Sequence, residues 1–346
     1  MSIALQQPQT DLILPMAPDG SAWDHHTIHT HYFGFSVPEA RIGAFVYLRC
    51  QPVFEMCGGG VCIYQGFDNP APQDAAHLDY QNTMPWPAVQ GATISTANGL
   101  TIEFLEPGSK VRLTYTSPDG ATSFDLVQSA ITPLVARGHV MPGEERHDQT
   151  GQTRGGSEQF MHCVGTLVLA GETYEVDCYP ARDRSWSQVR SEDLAAVETP
   201  PIAWSPMCFG PDLAFNQVGF EPHDTDPAWL GLYDVPHDAP AHHFAWMLID
   251  GEVREITRVR RRVLERHPTM YAAIREQIEA EDDAGTTHVF NGEAIAMSAV
   301  PAWPNLVAHD SVFRWEDVSG RTSHIVHQEM WLTDYQRAMK QRAQAN

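Results

Sequence analysis

Basic residues are scarce in this sequence: 22 Lys and Arg stand against 44 Asp and Glu, a formal net charge of -22 over 346 residues. Phosphate backbones and anionic lipid surfaces recruit proteins through cationic patches, so nucleic-acid and membrane-surface roles are disfavoured. Long apolar runs are also missing. No window approaches the roughly 18 consecutive apolar residues of a spanning helix. The opening Met1-Ser2-Ile3-Ala4-Leu5-Gln6-Gln7-Pro8 has no basic stretch followed by an apolar core, so nothing directs export and a cytoplasmic location is expected. The six cysteines (Cys50, Cys57, Cys62, Cys163, Cys178, Cys208) include no Cys-x-x-Cys pair and are expected to be reduced, buried thiols. Several catalytic signatures are absent as well: no Gly-x-Gly-x-x-Gly opening a helix, no Walker loop, no Gly-x-Ser-x-Gly and no His-Glu-x-x-His. Dinucleotide, nucleotide, serine-hydrolase and zincin chemistries lose their usual support, and no cofactor is expected. The run Cys57-Gly58-Gly59-Gly60 carries no Lys-Ser or Lys-Thr and reads as a glycine-rich β-turn.

What is present is alternation. With 42% apolar residues the chain has material for two cores, and its length suits two domains. Lys110 to Thr116 places Val111, Leu113 and Tyr115 on one face. It turns at Ser117-Pro118-Asp119-Gly120 and returns through Phe124 and Leu126. Similar hairpins are expected at Ala170-Gly171, Asp250-Gly251 and Ser319-Gly320. Pro268 to Asp283 offers a passable helical stripe, yet Ala272, Ile274 and Ile278 also fit period two. A turn-like Glu281-Asp282-Asp283-Ala284-Gly285 follows, which favours strands. Thr333 or Asp334 caps a terminal helix over Tyr335 to Ala343. Glu198-Thr199-Pro200-Pro201, and the lapse of alternation over Pro211 to Pro240, place a domain boundary near 200, giving domains 1–199 and 200–346. An all-β, antiparallel protein is expected, and any site is expected inside a barrel-like domain.

The candidate chemistry is sparse. His25, His26, His29 and His31 raise a metal hypothesis because His29 and His31 share a strand face. Partners would have to come from Glu158 and His162 or from His242 and His243; without them these are surface or hydrogen-bonding histidines, and no metal is assigned. Glu329 beside His327 is a further carboxylate of unknown facing. Tyr179-Pro180-Ala181-Arg182-Asp183-Arg184-Ser185-Trp186-Ser187 packs charge, hydroxyl and indole together at the end of a hairpin.

Arg182-Asp183-x-Ser185-Trp186 resembles the Arg-Asp-His-Ser-Trp-Gly element of bacterial tandem lipocalin-like proteins. It is similar, more distantly, to the Tyr-His-Asp-His-Asn-Trp-Gly element of carotenoid hydratases. The spacing from Gly165-Thr166-Leu167 to Asp183 fits the same group, as do His31-Tyr32-Phe33-Gly34-Phe35 and Ile42-Gly43-Ala44-Phe45-Val46. The resemblance implies two consecutive lipocalin-like barrels or half-barrels. It also implies water addition or polyene cyclisation in an apolar cavity, on an isoprenoid, steroid-like or aromatic substrate. Carried over by position, Asp183 matches the acid and Trp186 its aromatic neighbour, and Glu158, Phe160 and His162 fall near a His-x-Trp pair. The motif's tyrosine, histidine and glycine are replaced by Ala181, Arg184 and Ser187. The expected catalytic set is Asp183, His162, Glu158, His31 and Tyr32, with Trp186, Phe160, Phe33 and Arg182 binding substrate. In a regular strand Arg182, Arg184 and Trp186 point away from Asp183, so Asp183 and Trp186 share a cavity only if the strand bulges. The competing reading pairs Asp183 with an arginine. The expected activity is a hydratase, dehydratase or isomerase; a non-catalytic carrier and a pericyclic cyclase are the alternatives, and a homodimer is left open.

Overall fold

The computed structural model describes residues 3–12, 25–136, 155–189, 202–220, 242–303 and 306–345. The boundary signal Glu198 to Pro201 and most of Pro211 to Pro240 lie outside the described residues. Two compact units form. One comprises described residues within 4–64 and 75–192, and the other comprises Gln65–Asp74 and described residues after 193.

The first unit contains β1 (Thr27–Val37), β2 (Ile42–Gln51), β3 (Met56–Gln65), β4 (His77–Pro85), β5 (Ala88–Gln90), β6 (Thr93–Ser95) and β7 (Thr101–Glu106). It continues with β8 (Lys110–Thr116), β9 (Ser123–Ala130), β10 (Val135–Ala136), β11 (Gly155–Leu169), β12 (Glu172–Cys178) and β13 (Ala181–Val189). Their order is β4-β3-β2-β1-β13-β11-β9-β8-β7-β6-β5, with β10 and β12 also on β11. The long β11 joins two sheets: its first half pairs with β13 and its second half with β9 and β12. Among the described residues the sheet stays open, a half-barrel whose core collects Phe33, Phe35, Val46, Leu48, Leu113 and Leu126 from alternate positions. The Ala170-Gly171 hairpin follows its expected chemistry, both residues being left-handed (φ 52 and 83) as a two-residue turn requires. The glycine run departs from its expected turn. Gly58 to Gly60 lie inside β3, where a Cβ on Gly59 would collide with the Tyr47 carbonyl and one on Gly60 with the Asp79 carbonyl. The glycines let adjacent backbones approach, a role that a β-turn reading of their composition does not anticipate.

The second unit contains β14 (Ile202–Trp204), β15 (Met207–Gly210), β16 (Leu213–Phe220), β17 (His242–Ile249), β18 (Glu252–Arg266), β19 (Ala273–Asp282), β20 (Thr287–Trp303), β21 (Leu306–Asp317) and β22 (Thr322–Leu332), then α1 (Thr333–Ala345). β14 pairs with both β16 and β22, so eight strands close into a barrel and β15 hangs on β16. The ambiguous stretch is strand. Ile278 and Ala280 are buried, while Glu279 and Glu281 face outward and meet Arg262 and Arg258 at 3.2 and 2.9 Å. The Glu- and Arg-rich composition that suggested a helix supplies cross-strand ion pairs instead. β16 occupies part of the region where alternation was expected to lapse, because its buried positions include polar Gln217 beside Phe215. The terminal helix forms as expected and packs Tyr335 and Met339 on Trp331.

Gln65–Asp74 folds with the barrel unit. The buried Asn69 amide donates to the carbonyls of Gln65, Gly66 and Met297 at 3.0 to 3.1 Å, and Met297 N–H donates to Gly66 O at 2.9 Å. Asn69→Ala removes these three hydrogen bonds and is expected to lower unfolding stability by about 1–3 kcal/mol, read by urea denaturation.

Candidate functional site

In an antiparallel ladder, directly opposed residues share a face. On that basis β1, β13 and β11 bring Tyr32, Asp183 and Glu158 into one row, because Asp183 is the register partner of Tyr32 on one side and of Glu158 on the other. Tyr32 and Glu158 are buried and Asp183 is partly so. Phe160, beside Ala181, belongs to the same face. Gly34 makes room there: an added Cβ would lie 2.7 Å from the Tyr32 hydroxyl. Aromatic rings continue the row, with Tyr32 on Phe45 at 5.3 Å between centroids, Phe45 on Tyr47 at 5.5 Å and Phe45 on Tyr80 at 6.1 Å. Desolvation, then proximity to Tyr47, pushes the Tyr80 phenol well above its ordinary range, which keeps it a proton donor. Thr30 and Ser185, one pair along, share a 2.6 Å hydrogen bond.

The opposite face of these strands carries His31, Phe33, Arg182, Arg184 and Ser157, again fixed by register. Here Asp11, from a short 3-10 turn (Pro8–Leu12), is fully buried. It accepts from Arg182 at 2.8 and 3.2 Å, and its second cation, Arg184, approaches at 3.5 Å. Arg184 also donates to the Asp11 carbonyl at 2.7 Å, and Gly108 N–H donates to the Asp11 carboxylate at 2.6 Å. Gln159 Oε1 accepts from Arg182 at 2.6 and 2.8 Å. Burial, then Arg184, pulls the His29 imidazole down to about 4, and the same causes hold His31 well below its usual range. Both are neutral near pH 7.

Arg182 and Arg184 therefore turn away from Asp183, as the strand period requires, and the arginine clamp closes on Asp11. Among the described residues Asp183 forms no ion pair. Trp186 lies on the arginine side, its ring 5.2 Å under the Arg184 guanidinium. The irregularity that would have carried it across comes one residue later, at Ser187 (φ 54). The structure thus gathers Tyr32, Asp183, Glu158 and Phe160 and separates them from His31, Phe33, Arg182 and Trp186. His162 is elsewhere: it is half-buried, 2.7 Å from Asp177 and stacked on Tyr179. His162→Gln is expected to change stability by less than about 1 kcal/mol in thermal unfolding, as for other exposed pairs. Sequence reasoning missed Asp11, Tyr47 and Tyr80. For the tyrosines the alternating pattern was a usable signal; for Asp11 there was none, since its partners lie 171 and 173 residues away.

Among the described residues no three His, Cys, Asp or Glu side chains form a group able to hold a metal ion. The side chains of His242 and His243 lie outside the description. The six cysteines are free and buried. No described helix is long and apolar enough to cross a membrane.

The model of a family described as domain of unknown function DUF7064 matches residues 23–332. No curated protein matches the sequence. Among solved structures, kievitone hydratase from Nectria haematococca superposes with a TM-score of 0.52 at 12% identity, over 94% of this chain and 95% of that one. A protein provisionally assigned as AttH from Nitrosomonas europaea gives 0.50 at 12%, over 92% and 96%. CghA with Sch210972 gives 0.46 at 10%, over 88% of each chain. At this identity the first two establish the fold, two lipocalin-like β domains.

Proposed function

The chain belongs to the DUF7064 family, and from that footing we propose that it is a cofactor-independent acid–base lyase, a hydratase or dehydratase acting on a hydrophobic small molecule. The observation that carries this reading is the row Tyr32, Asp183, Glu158, two carboxyl groups and a phenol at directly opposed positions on three adjacent strands. Cross-strand neighbours stand about 4.5–5.5 Å apart at Cβ, a separation that lets one substrate atom lie between two proton-transferring groups.

In the hydration direction the Asp183 carboxyl delivers a proton to one alkene carbon. The π-faces of Tyr32 and Phe45 face the cation that develops on the other. Glu158 takes a proton from the water whose oxygen closes on that carbon. One proton leaves Asp183 and one arrives at Glu158, so the substrate gains the elements of water. The dehydration direction reverses each step. Aromatic walls suit an isoprenoid, steroid-like or aromatic substrate. The same fold carries a hydratase, that of kievitone.

The test is incubation of the full chain with prenylated phenols and acyclic terpenes in 18O-labelled water, followed by mass spectrometry. Incorporation of solvent oxygen into one of them is expected. Binding of these compounds without any label or rearrangement would make the protein a carrier instead, and cyclised product without label would make it a cyclase.

A further inference from the structure

We propose that the interior of the closed barrel is a second small-molecule site, built from Ser205, Gln217, Glu276 and His327, for an uncharged ring compound that carries hydroxyl groups. The lumen is identified by contacts between strands that are not neighbours. Phe215 on β16 meets Phe290 on β20 at 5.3 Å between centroids. Arg261 on β18 reaches Glu329 on β22 at 2.9 Å, and His327 on β22 lies 3.6 Å from Glu276 on β19. Strands this far apart around a closed ring touch only through its inside. Period two assigns the remaining members. Gln217 shares a face with Phe215, and Ser205 shares one with Ala203, the register partner of Glu329. Ser205 N–H donates to the Gln217 carbonyl at 2.9 Å, which sets the two side chains at one level.

Charge in the lumen is already matched. Arg261 lies between Glu276 at 2.6 Å and Glu329 at 2.9 Å, and Arg266 stands 3.9 Å from Glu329. Burial, reinforced by Arg261, outweighs the two carboxylates and keeps His327 neutral near pH 7. Hydrogen-bonding capacity is not matched. Ser205 Oγ, both amide atoms of Gln217, His327 Nε2 and Trp315 Nε1 have no partner, and Glu276 Oε1 and His327 Nδ1 face only each other, at 3.6 Å. Yet Ser205, Gln217, Glu276 and Trp315 are 0% exposed and His327 1%. Buried polar atoms are almost always partnered, so this set calls for an occupant with both donors and acceptors. An ion would bring a charge with no counter-charge left to meet it. The wall is flat and apolar, with Phe313 4.4 Å and Trp315 6.2 Å from the His327 ring between centroids. A neutral ring with hydroxyls can donate to Glu276 and the Gln217 carbonyl oxygen and accept from the Gln217 amide and the Trp315 indole.

The site shares no residue with Tyr32, Asp183 and Glu158, and it stands whether or not solvent oxygen enters any product. Isothermal titration of the full chain with resorcinol is the test, on the wild type, Gln217→Leu and Ser205→Ala. Saturable one-to-one binding is expected, weakened about tenfold in Gln217→Leu and by a smaller factor in Ser205→Ala. If Gln217→Leu does not fold by circular dichroism, the smaller Ser205→Ala change carries the comparison. No binding heat in the wild type would mean that buried water alone occupies the lumen and would overturn the proposal. Binding equal in the wild type and every folded variant would overturn it too.

Discussion

Asp183→Asn is expected to lower turnover by about 10²–10⁴, the usual worth of a positioned general acid, while leaving substrate affinity within a few-fold. Asn keeps the shape and hydrogen-bonding reach of Asp and loses only the transferable proton. No ion pair among the described residues depends on this carboxylate, so the substitution leaves no stranded guanidinium behind and the fold has little reason to change. Glu158→Gln, on the neighbouring strand, is expected to cost a similar factor. The double variant is expected to be scarcely slower than either single one, because the two groups act in one proton transfer sequence. Comparing kcat and KM with a directly measured Kd separates lost chemistry from lost binding. Unchanged turnover in Asp183→Asn, once an active substrate is in hand, would remove the acid from the mechanism.

Arg261→Met in the barrel is expected to lower unfolding stability by about 3–5 kcal/mol, because it takes the shared guanidinium from two buried carboxylates and leaves Glu329 only Arg266, 3.9 Å away. Arg261 donates to Glu276 at 2.7 Å and to Glu329 at 2.9 Å, and all three side chains are buried. Adding Glu276→Gln and Glu329→Gln to Arg261→Met is expected to recover most of the loss, since the uncompensated charges are then gone. The acid limb of stability carries a signature of the same network. Burial raises the Glu329 carboxyl, but Arg261, Arg266, His327 and the Ala273 N–H outweigh it and bring it down to about 2. A carboxyl held below its unfolded value contributes stability above that value, near pH 4.5, and the contribution is lost as pH falls towards 2. Urea midpoints measured from pH 6 to pH 2 are expected to fall over that window in the wild type and to fall less in Arg261→Met. Equal slopes in the two proteins would separate Glu329 from Arg261.

The hairpins were readable because a hairpin is a local object. Asp250-Gly251 takes φ 50 and 86, the geometry its residue types favour. Strand period also foretold that Arg182 and Arg184 turn away from Asp183, since facing depends only on counting residues. Where the buried face of a strand is polar, the same count goes blind. β16 buries Gln217 beside Phe215, so a barrel strand looked like a lapse of pattern.

By itself the sequence determined the antiparallel class, the four hairpin turns, the terminal helix and the alternation of facing along a strand, all consequences of dihedral preference and short-range hydrophobic period. Only the tertiary structure decided that Asp183 lies between Tyr32 and Glu158, that the arginines beside it close on Asp11, and that Arg261 meets a carboxylate 68 residues away. These contacts depend on which strands become neighbours and on whether a sheet closes. Both are set by the burial of the whole chain, which no local stretch of residues encodes.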